Sequence, residues 1–160
     1  NIISFCLKGT TSDAMKYTKI LTRIRTPYEI LNQETPAGKY IYKRYDMISK
    51  EYQILLKKAL EQKPDGKLYL YQYPHGKISF TKDIANELLH RFPNNIIIIA
   101  REKSGEMKMS IRSKNIKILP ILNKALKEVD GYGGGHELAC GANVKKEDFK
   151  KFIVSFKNQL

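Results

Sequence analysis

The sequence has no Trp, only two Cys and three His, and no apolar run near the length of a membrane span. Each shortage excludes something. A transmembrane helix needs about 20 consecutive apolar residues, whereas the longest clean stretch, Ile96 to Ala100, is strand-sized. No membrane partner is expected. Cys6 and Cys140 form neither a CxxC pair nor a zinc spacing, so the expectation is two reduced thiols in a cytoplasmic protein rather than a disulfide scaffold. His75, His90 and His136 are never adjacent, and the Asp residues form no ligand cluster by spacing, so no catalytic metal centre is legible. Acidic residues are also scarce: 16 Asp+Glu stand against 29 Lys+Arg, a net charge of +13. That excess favours a polyanionic partner without identifying it. With 42% hydrophobic residues the chain can bury a core, which excludes disorder throughout.

The charge is unevenly placed. Residues 1–66 carry 12 basic and 7 acidic groups, whereas Arg101 to Lys117 alone holds six basic residues (Arg101, Lys103, Lys108, Arg112, Lys114 and Lys117) against Glu102 and Glu106. The first residue is Asn, and Asn1 to Leu7 lacks the pattern of a signal peptide, so the sequence reads as the stump of something longer. Ser12 is placed to cap a first helix bearing Ala14, Tyr17, Leu21 and Ile24. Thr26-Pro27-Tyr28-Glu29 has the form of a capping box with Pro at the first helical position, opening a short helix to about Asn32. Ile41, Tyr45, Ile48, Tyr52, Leu55 and Ala59 make one long helical stripe through about Gln62, with its tyrosines read as packing residues.

Lys63-Pro64-Asp65-Gly66 is a turn and the best internal boundary, giving a helical segment over 1–66 and a second domain over 67–160. The fold class expected is α/β: a mixed β-sheet flanked by helices, preceded by the helical connector. Strands are expected at Leu68 to Tyr73, Ile78 to Phe80, Ile96 to Ala100 and, after a Ser104-Gly105 hairpin, across Met107, Met109 and Ile111. Gly141 to Val144 is a further short strand. Thr81 is placed to cap a helix with Ile84, Leu88 and Phe92, and further helices carry Leu119, Leu122, Leu126 and then Phe149, Phe152, Phe156, Leu160. Alternation puts Lys108, Ser110 and Arg112 together on one face of their strand, opposite the apolar side.

Asp130-Gly131-Tyr132-Gly133-Gly134-Gly135-His136 is the most informative stretch. Three consecutive glycines leave the backbone bare, so several N–H groups can point at one anion; a helical turn opened by His136 adds a partial positive charge, and its imidazole can donate to a phosphate oxygen. The other reading is a flexible glycine loop with an exposed His. The tract is neither a Walker A loop nor G-x-G-x-x-G, because His136 takes the place of the last Gly.

Gly133-Gly134-Gly135-His136, followed by Leu138-Ala139-Cys140-Gly141 and preceded by Ser110-Ile111-Arg112-Ser113, resembles the C-terminal substrate-binding, DHH-associated domain of the DHH phosphoesterases. The likeness covers about Leu68 to Leu160, and the Gly-Tyr-Gly-Gly-Gly-His form is most similar to archaeal RecJ-like exonucleases. Two positions depart from the family pattern: Tyr132 stands where Gly is frequent, and Cys140 where Ala is frequent. The resemblance implies that Arg112, Gly133, Gly134, Gly135 and His136 hold the phosphate and sugar of the substrate, with Ser110, Ser113, Lys108 and Tyr132 as further candidates. It implies hydrolysis by manganese ions on a separate domain bearing an Asp-His-His triplet, which this sequence lacks, so no catalytic residue and no metal ligand is expected in this chain. The implied partner is single-stranded nucleic acid or a short oligonucleotide. Two alternatives follow from the same likeness: a non-catalytic replisome scaffold that binds GINS, and a phosphodiesterase acting on a cyclic dinucleotide or another small phosphate compound.

Overall fold

The computed structural model describes residues 2–160; Asn1, on which the expectation of a longer parent partly rests, lies outside them. The chain divides into two compact units. One holds the described residues up to Lys57 together with Lys77–Ser79; the other holds Lys58–Gly76 and Phe80–Leu160.

The first unit is helical: α1 (Ile2–Cys6), α2 (Thr11–Leu21), α3 (Pro27–Leu31) and most of α4 (Pro36–Leu60). Two capping boxes set its helix starts. Thr26 and Glu29 form the expected one, with the Thr26 N–H donating to Glu29 Oε1 at 3.1 Å. For α2 the cap is Thr10 rather than Ser12, because Thr10 has a carboxylate three residues on: the Asp13 N–H donates to Thr10 Oγ1 at 3.1 Å, and the Thr10 N–H to Asp13 Oδ2 at 3.0 Å. Cys6, Tyr17, Ile30 and Ile41 bury one another. Of the stripe, Ile41, Ile48, Tyr52 and Ala59 are buried and Tyr45 packs half-buried against Phe5, while Leu56 is buried in place of Leu55. Tyr52 is buried edge-on to Phe5, and Tyr17 stacks on Tyr40 under Lys16 and Arg44.

The second unit is a five-stranded mixed sheet with helices on both faces, the expected α/β architecture. Its strands are β1 (Leu68–Tyr73), β2 (Ile96–Lys103), β3 (Glu106–Arg112), β4 (Gly131–His136) and β5 (Ala139–Lys145), in the order β1-β2-β3-β5-β4. Only β1 and β2 are parallel; α5 (Thr81–Arg91) is the crossover between them and lies against β2 and β3. It begins at Thr81 itself, with Phe80 at the N-cap position. The expected strand at Ile78 to Phe80 does not form. Ile78 and Phe80 are buried, but no strand pairs with them, and the Phe80 N–H donates to the Tyr73 hydroxyl at 3.0 Å.

Strand parity then divides the sheet. Leu68, Ile96, Ile98, Ala100, Met107, Met109, Ile111, Cys140, Ala142 and Val144 point to one face, where α6 (Ile118–Leu126) and α7 (Phe149–Lys157) close over them with Leu122, Phe152 and Phe156. This is the main core, each fully buried large side chain contributing about 1.5–3 kcal/mol. Cys140 packs here as a small apolar residue, and both thiols are free and buried. On the opposite face Ile97 and Ile99 lie fully buried on the side of α5, and Tyr69 is anchored through its hydroxyl, which donates to the carbonyls of Ala59 at 2.7 Å and Gln62 at 3.0 Å. No helix among the described residues is long and apolar enough to cross a membrane.

Candidate functional site

Beyond α5, the second face runs across β3, β5 and β4. Pairing register sorts its residues into rows. Arg112 is opposite Ala139, which is opposite His136; Ser110 is opposite Gly141, which is opposite Gly134; Lys108 is opposite Asn143, which is opposite Tyr132. Strands lie about 4.8 Å apart and rows about 6.8 Å apart along a strand, so the Arg112 and His136 backbones stand about 10 Å apart with only Ala139 between them. The glycine tract is therefore an edge strand, not a loop, and His136 ends that strand at a two-residue hairpin instead of opening a helical turn. Of the expected site residues, Arg112, Ser110, Lys108, Tyr132, Gly134 and His136 share this one face.

The four glycines of β4 serve two purposes. A Cβ on Gly131, Gly133 or Gly135 would come within 2.6, 2.8 and 2.4 Å of backbone oxygens of β5, and Gly135 also has a φ of +144°. Close strand approach excludes side chains at all three. Gly134 differs. A Cβ there would meet nothing within 4 Å, and one on its neighbour Gly141 would meet only an ordinary contact at 3.6 Å. The fold does not require glycine at either position, yet the two sit side by side on the open face. They make a floor of bare backbone.

Arg112 overlooks that floor. Its Nε donates to Asn86 Oδ1 of α5 at 3.1 Å, and its Nη1 to the carbonyls of Ile111 at 2.8 Å and Cys140 at 3.1 Å. Nη2 donates to no described residue and remains available to a ligand. Burial pulls the guanidinium below its ordinary pKa, with Cys140 opposing weakly; the group stays cationic, and its partial desolvation strengthens its attraction for an anion. Cys140 is shifted up by burial, against a smaller pull from Arg112.

His136 is exposed, as is Tyr132, at 68% of its surface. Lys108 is half-buried and stands 4.0 Å from Glu106. Ser110 lies on the face but is largely buried. Ser113 does not join it: this residue is buried beyond the strand, where its Oγ accepts the Ile116 N–H at 2.9 Å and its own N–H donates to the Leu138 carbonyl. Its role is to hold the turn after β3. Of the six cations counted between Arg101 and Lys117, Lys108 and Arg112 stand on this open part of the face; Arg101 and Lys103 share its side of the sheet on β2, where Arg101 is buried and donates to the Gly76 carbonyl at 3.3 Å, and Lys117 is paired with Glu137 at 2.9 Å.

Three contributors escaped sequence reasoning. Asn86 orients Arg112 from a helix 26 residues earlier in the chain, a contact that periodicity alone cannot show. Gly141 completes the floor. Asn143, only 6% exposed, donates through Nδ2 to Glu106 Oε2 at 2.7 Å and to the Tyr132 hydroxyl at 3.1 Å, while its Oδ1 is buried without a partner. The available signal was the alternation of Cys140, Ala142 and Val144 against Gly141, Asn143 and Lys145.

Among the described residues no three His, Cys, Asp or Glu side chains come together to hold a metal ion. The groups on the face are guanidinium, ammonium and amide donors with one imidazole and one carboxylate, a set suited to an anion rather than a cation.

The DHHA1 domain family model matches residues 66–160. Among solved structures, RecJ from Thermus thermophilus in complex with Mg2+ superposes on 92% of this chain and 23% of its own, with a TM-score of 0.67 and 18% identity. Exonuclease RecJ bound to manganese covers 82% and 34%, at 0.61 and 17%. The pGpG-specific phosphodiesterase of Vibrio cholerae covers 78% and 42%, at 0.55 and 15%. At these identities the likeness is one of fold, and the chain spans less than half the length of each of these proteins. No curated protein matches the chain in sequence.

Proposed function

The chain belongs to the DHHA1 domain family, and from that premise we propose that its open sheet face binds the phosphodiester backbone of single-stranded nucleic acid or a short oligonucleotide. In this reading it presents the phosphodiester for hydrolysis by metal ions, manganese or magnesium, on a catalytic domain that is not part of this chain. The observation that carries it is Gly134 beside Gly141, two glycines with room for side chains, one row along the sheet from a half-buried Arg112 and an exposed His136.

Each residue has a distinct task. The bare floor lets a phosphate approach the backbone closely. Arg112, its Nε held by Asn86, keeps Nη2 for a phosphate oxygen, and His136 donates from the opposite side. Lys108, one row beyond Ser110, faces the next phosphate along the strand. Gly133 and Gly135 act indirectly, by letting β4 lie close enough to β5 to bring Gly134 level with Gly141.

The test is a titration of labelled single-stranded DNA and RNA against the wild type, Arg112→Ala and Gly134→Leu. Affinity is expected to fall as salt rises from about 50 to 200 mM, with a logarithmic slope near 0.7 for each phosphate neutralised. Both variants should bind at least about tenfold more weakly while keeping the wild-type circular dichroism. Equal affinities, or no salt dependence, disprove the reading. A dinucleotide that binds as tightly as longer strands would redirect it to a compact phosphate ligand.

A further inference from the structure

Tyr132 combines two properties that rarely coincide. It is a large aromatic residue with 68% of its surface exposed, and yet its ring is held: the hydroxyl accepts a hydrogen bond from Asn143 Nδ2 at 3.1 Å. Asn143 is in turn fixed by Glu106, whose Oε2 accepts the second Nδ2 hydrogen bond at 2.7 Å. Turning the amide over would set Oδ1 against the Glu106 carboxylate, so the orientation is determined, and it leaves Oδ1 buried with no donor. None of the three residues is part of the main core cluster. An apolar side chain at position 143 would serve the sheet without an unsatisfied carbonyl. The chain Glu106–Asn143–Tyr132 therefore holds an exposed ring in one orientation, and the bond to a short, buried side chain on the next strand draws that ring toward the sheet.

The ring's position supplies its use. Tyr132 stands one row from the Gly134 and Gly141 floor, about 6.8 Å along the strand. A sugar can bridge a phosphate on the floor and a base on the ring. Resting on the reading of the floor as a phosphate site, we infer that Tyr132 is a preorganised stacking platform for the nucleobase of the bound nucleotide, with Asn143 and Glu106 as the positioning residues that hold it. The ligand then lies in one direction only, phosphate toward Arg112 and His136, base toward Tyr132 on the edge strand, with Lys108 across the row on the side of the following phosphate. Because every base has a π-face, the platform selects for the presence of a base rather than for its identity.

The test uses two probes of equal length and charge on the full chain: an oligothymidylate, and its abasic deoxyribose-phosphate counterpart. The ratio of their affinities isolates the base. For the wild type it is expected to be between about fivefold and a hundredfold in favour of the base-bearing strand. Tyr132→Ala should bring the ratio near one, and Tyr132→Trp, which keeps a π-face but offers Asn143 no acceptor, should recover it only in part. Asn143→Ala should reduce it; since that buried position can fail on folding grounds, Glu106→Ala and Tyr132→Phe, both altered at accessible residues, should reduce it too. Glu106→Gln retains a carbonyl acceptor for Asn143 and should keep the ratio. Arg112→Ala should weaken both probes alike and leave the ratio unchanged.

A wild type that binds both probes equally overturns the platform while leaving the phosphate site standing. Failure to bind either probe overturns the phosphate reading and the platform with it. Full retention of the ratio in Glu106→Ala and Tyr132→Phe removes Asn143 and Glu106 from the positioning role.

Discussion

Met107, Met109 and Ile111 leave β3 on one side, and Lys108, Ser110 and Arg112 leave it on the other; the two sides of the same seven residues meet opposite conditions. On the first, α6 and α7 close the sheet with Leu122, Phe152 and Phe156, and the exposure of each strand residue falls to 8% or less. On the second, α5 covers β2 and part of β3 and then stops, and the sheet continues into two positions with no side chain at all. A core face loses stability when atoms are removed. The open face works because atoms are missing. Fold and site are thus interleaved residue by residue, and a substitution's effect depends on parity more than on its place in the chain.

The largest expected effect tests the closed face. Phe152→Ala, at a fully buried position, should cost about 3–5 kcal/mol in denaturant unfolding; a loss below about 1 kcal/mol would mean that α7 is not integral to the core. Next come two neighbouring glycines. Gly135→Ala meets the Ala139 carbonyl oxygen at 2.4 Å from a positive φ and should destabilise by about 1–3 kcal/mol. Gly134→Ala should stay within about 0.5 kcal/mol of the wild type in stability while weakening oligonucleotide binding; a binding loss in Gly135→Ala alone would reverse the division of labour assigned to them. Arg112→Lys keeps the charge but not the planar fork, so isothermal titration should show a smaller, severalfold loss of affinity with little change in salt slope.

The smallest effect lies off the sheet. Backbone hydrogen bonds hold Asp13 and Glu29 below their ordinary pKa values, Thr10 providing the largest part for Asp13 and Arg25 for Glu29. Because the folded pKa is depressed, the stability they contribute is complete above the ordinary carboxylate range near pH 4 and is lost as pH falls through the folded values. Helicity followed by circular dichroism from pH 5 downward should show this, and Asp13→Asn should flatten it.

Much of this was legible in advance. The mixed α/β class, the Ser104-Gly105 hairpin and the shared face of Lys108, Ser110 and Arg112 follow from local pattern, because β-branched runs, turn residues and alternation are properties of neighbours. Ile78 to Phe80 misled for the same reason: an apolar alternation signals burial, and burial was achieved without a strand partner. The glycine tract misled more deeply. Three glycines in a row suggest a loop by propensity, but Gly131, Gly133 and Gly135 answer to the backbone of β5, a constraint that exists only once the pairing is made. Asn86 and Asn143 stayed hidden because each matters through a partner far along the chain.

Ser104 and Gly105, both at positive φ, join β2 to β3 with two residues, whereas β1 reaches β2 only across residues 74–95. Closing a short hairpin takes microseconds, and closing the longer crossover carries a larger entropic cost before any contact compensates for it. The strand that carries Arg112 is therefore expected to be in place early in folding, with β1 the slow addition. Kinetic measurements should find that substitutions in the Ser104-Gly105 turn slow folding, while those in β1 chiefly speed unfolding.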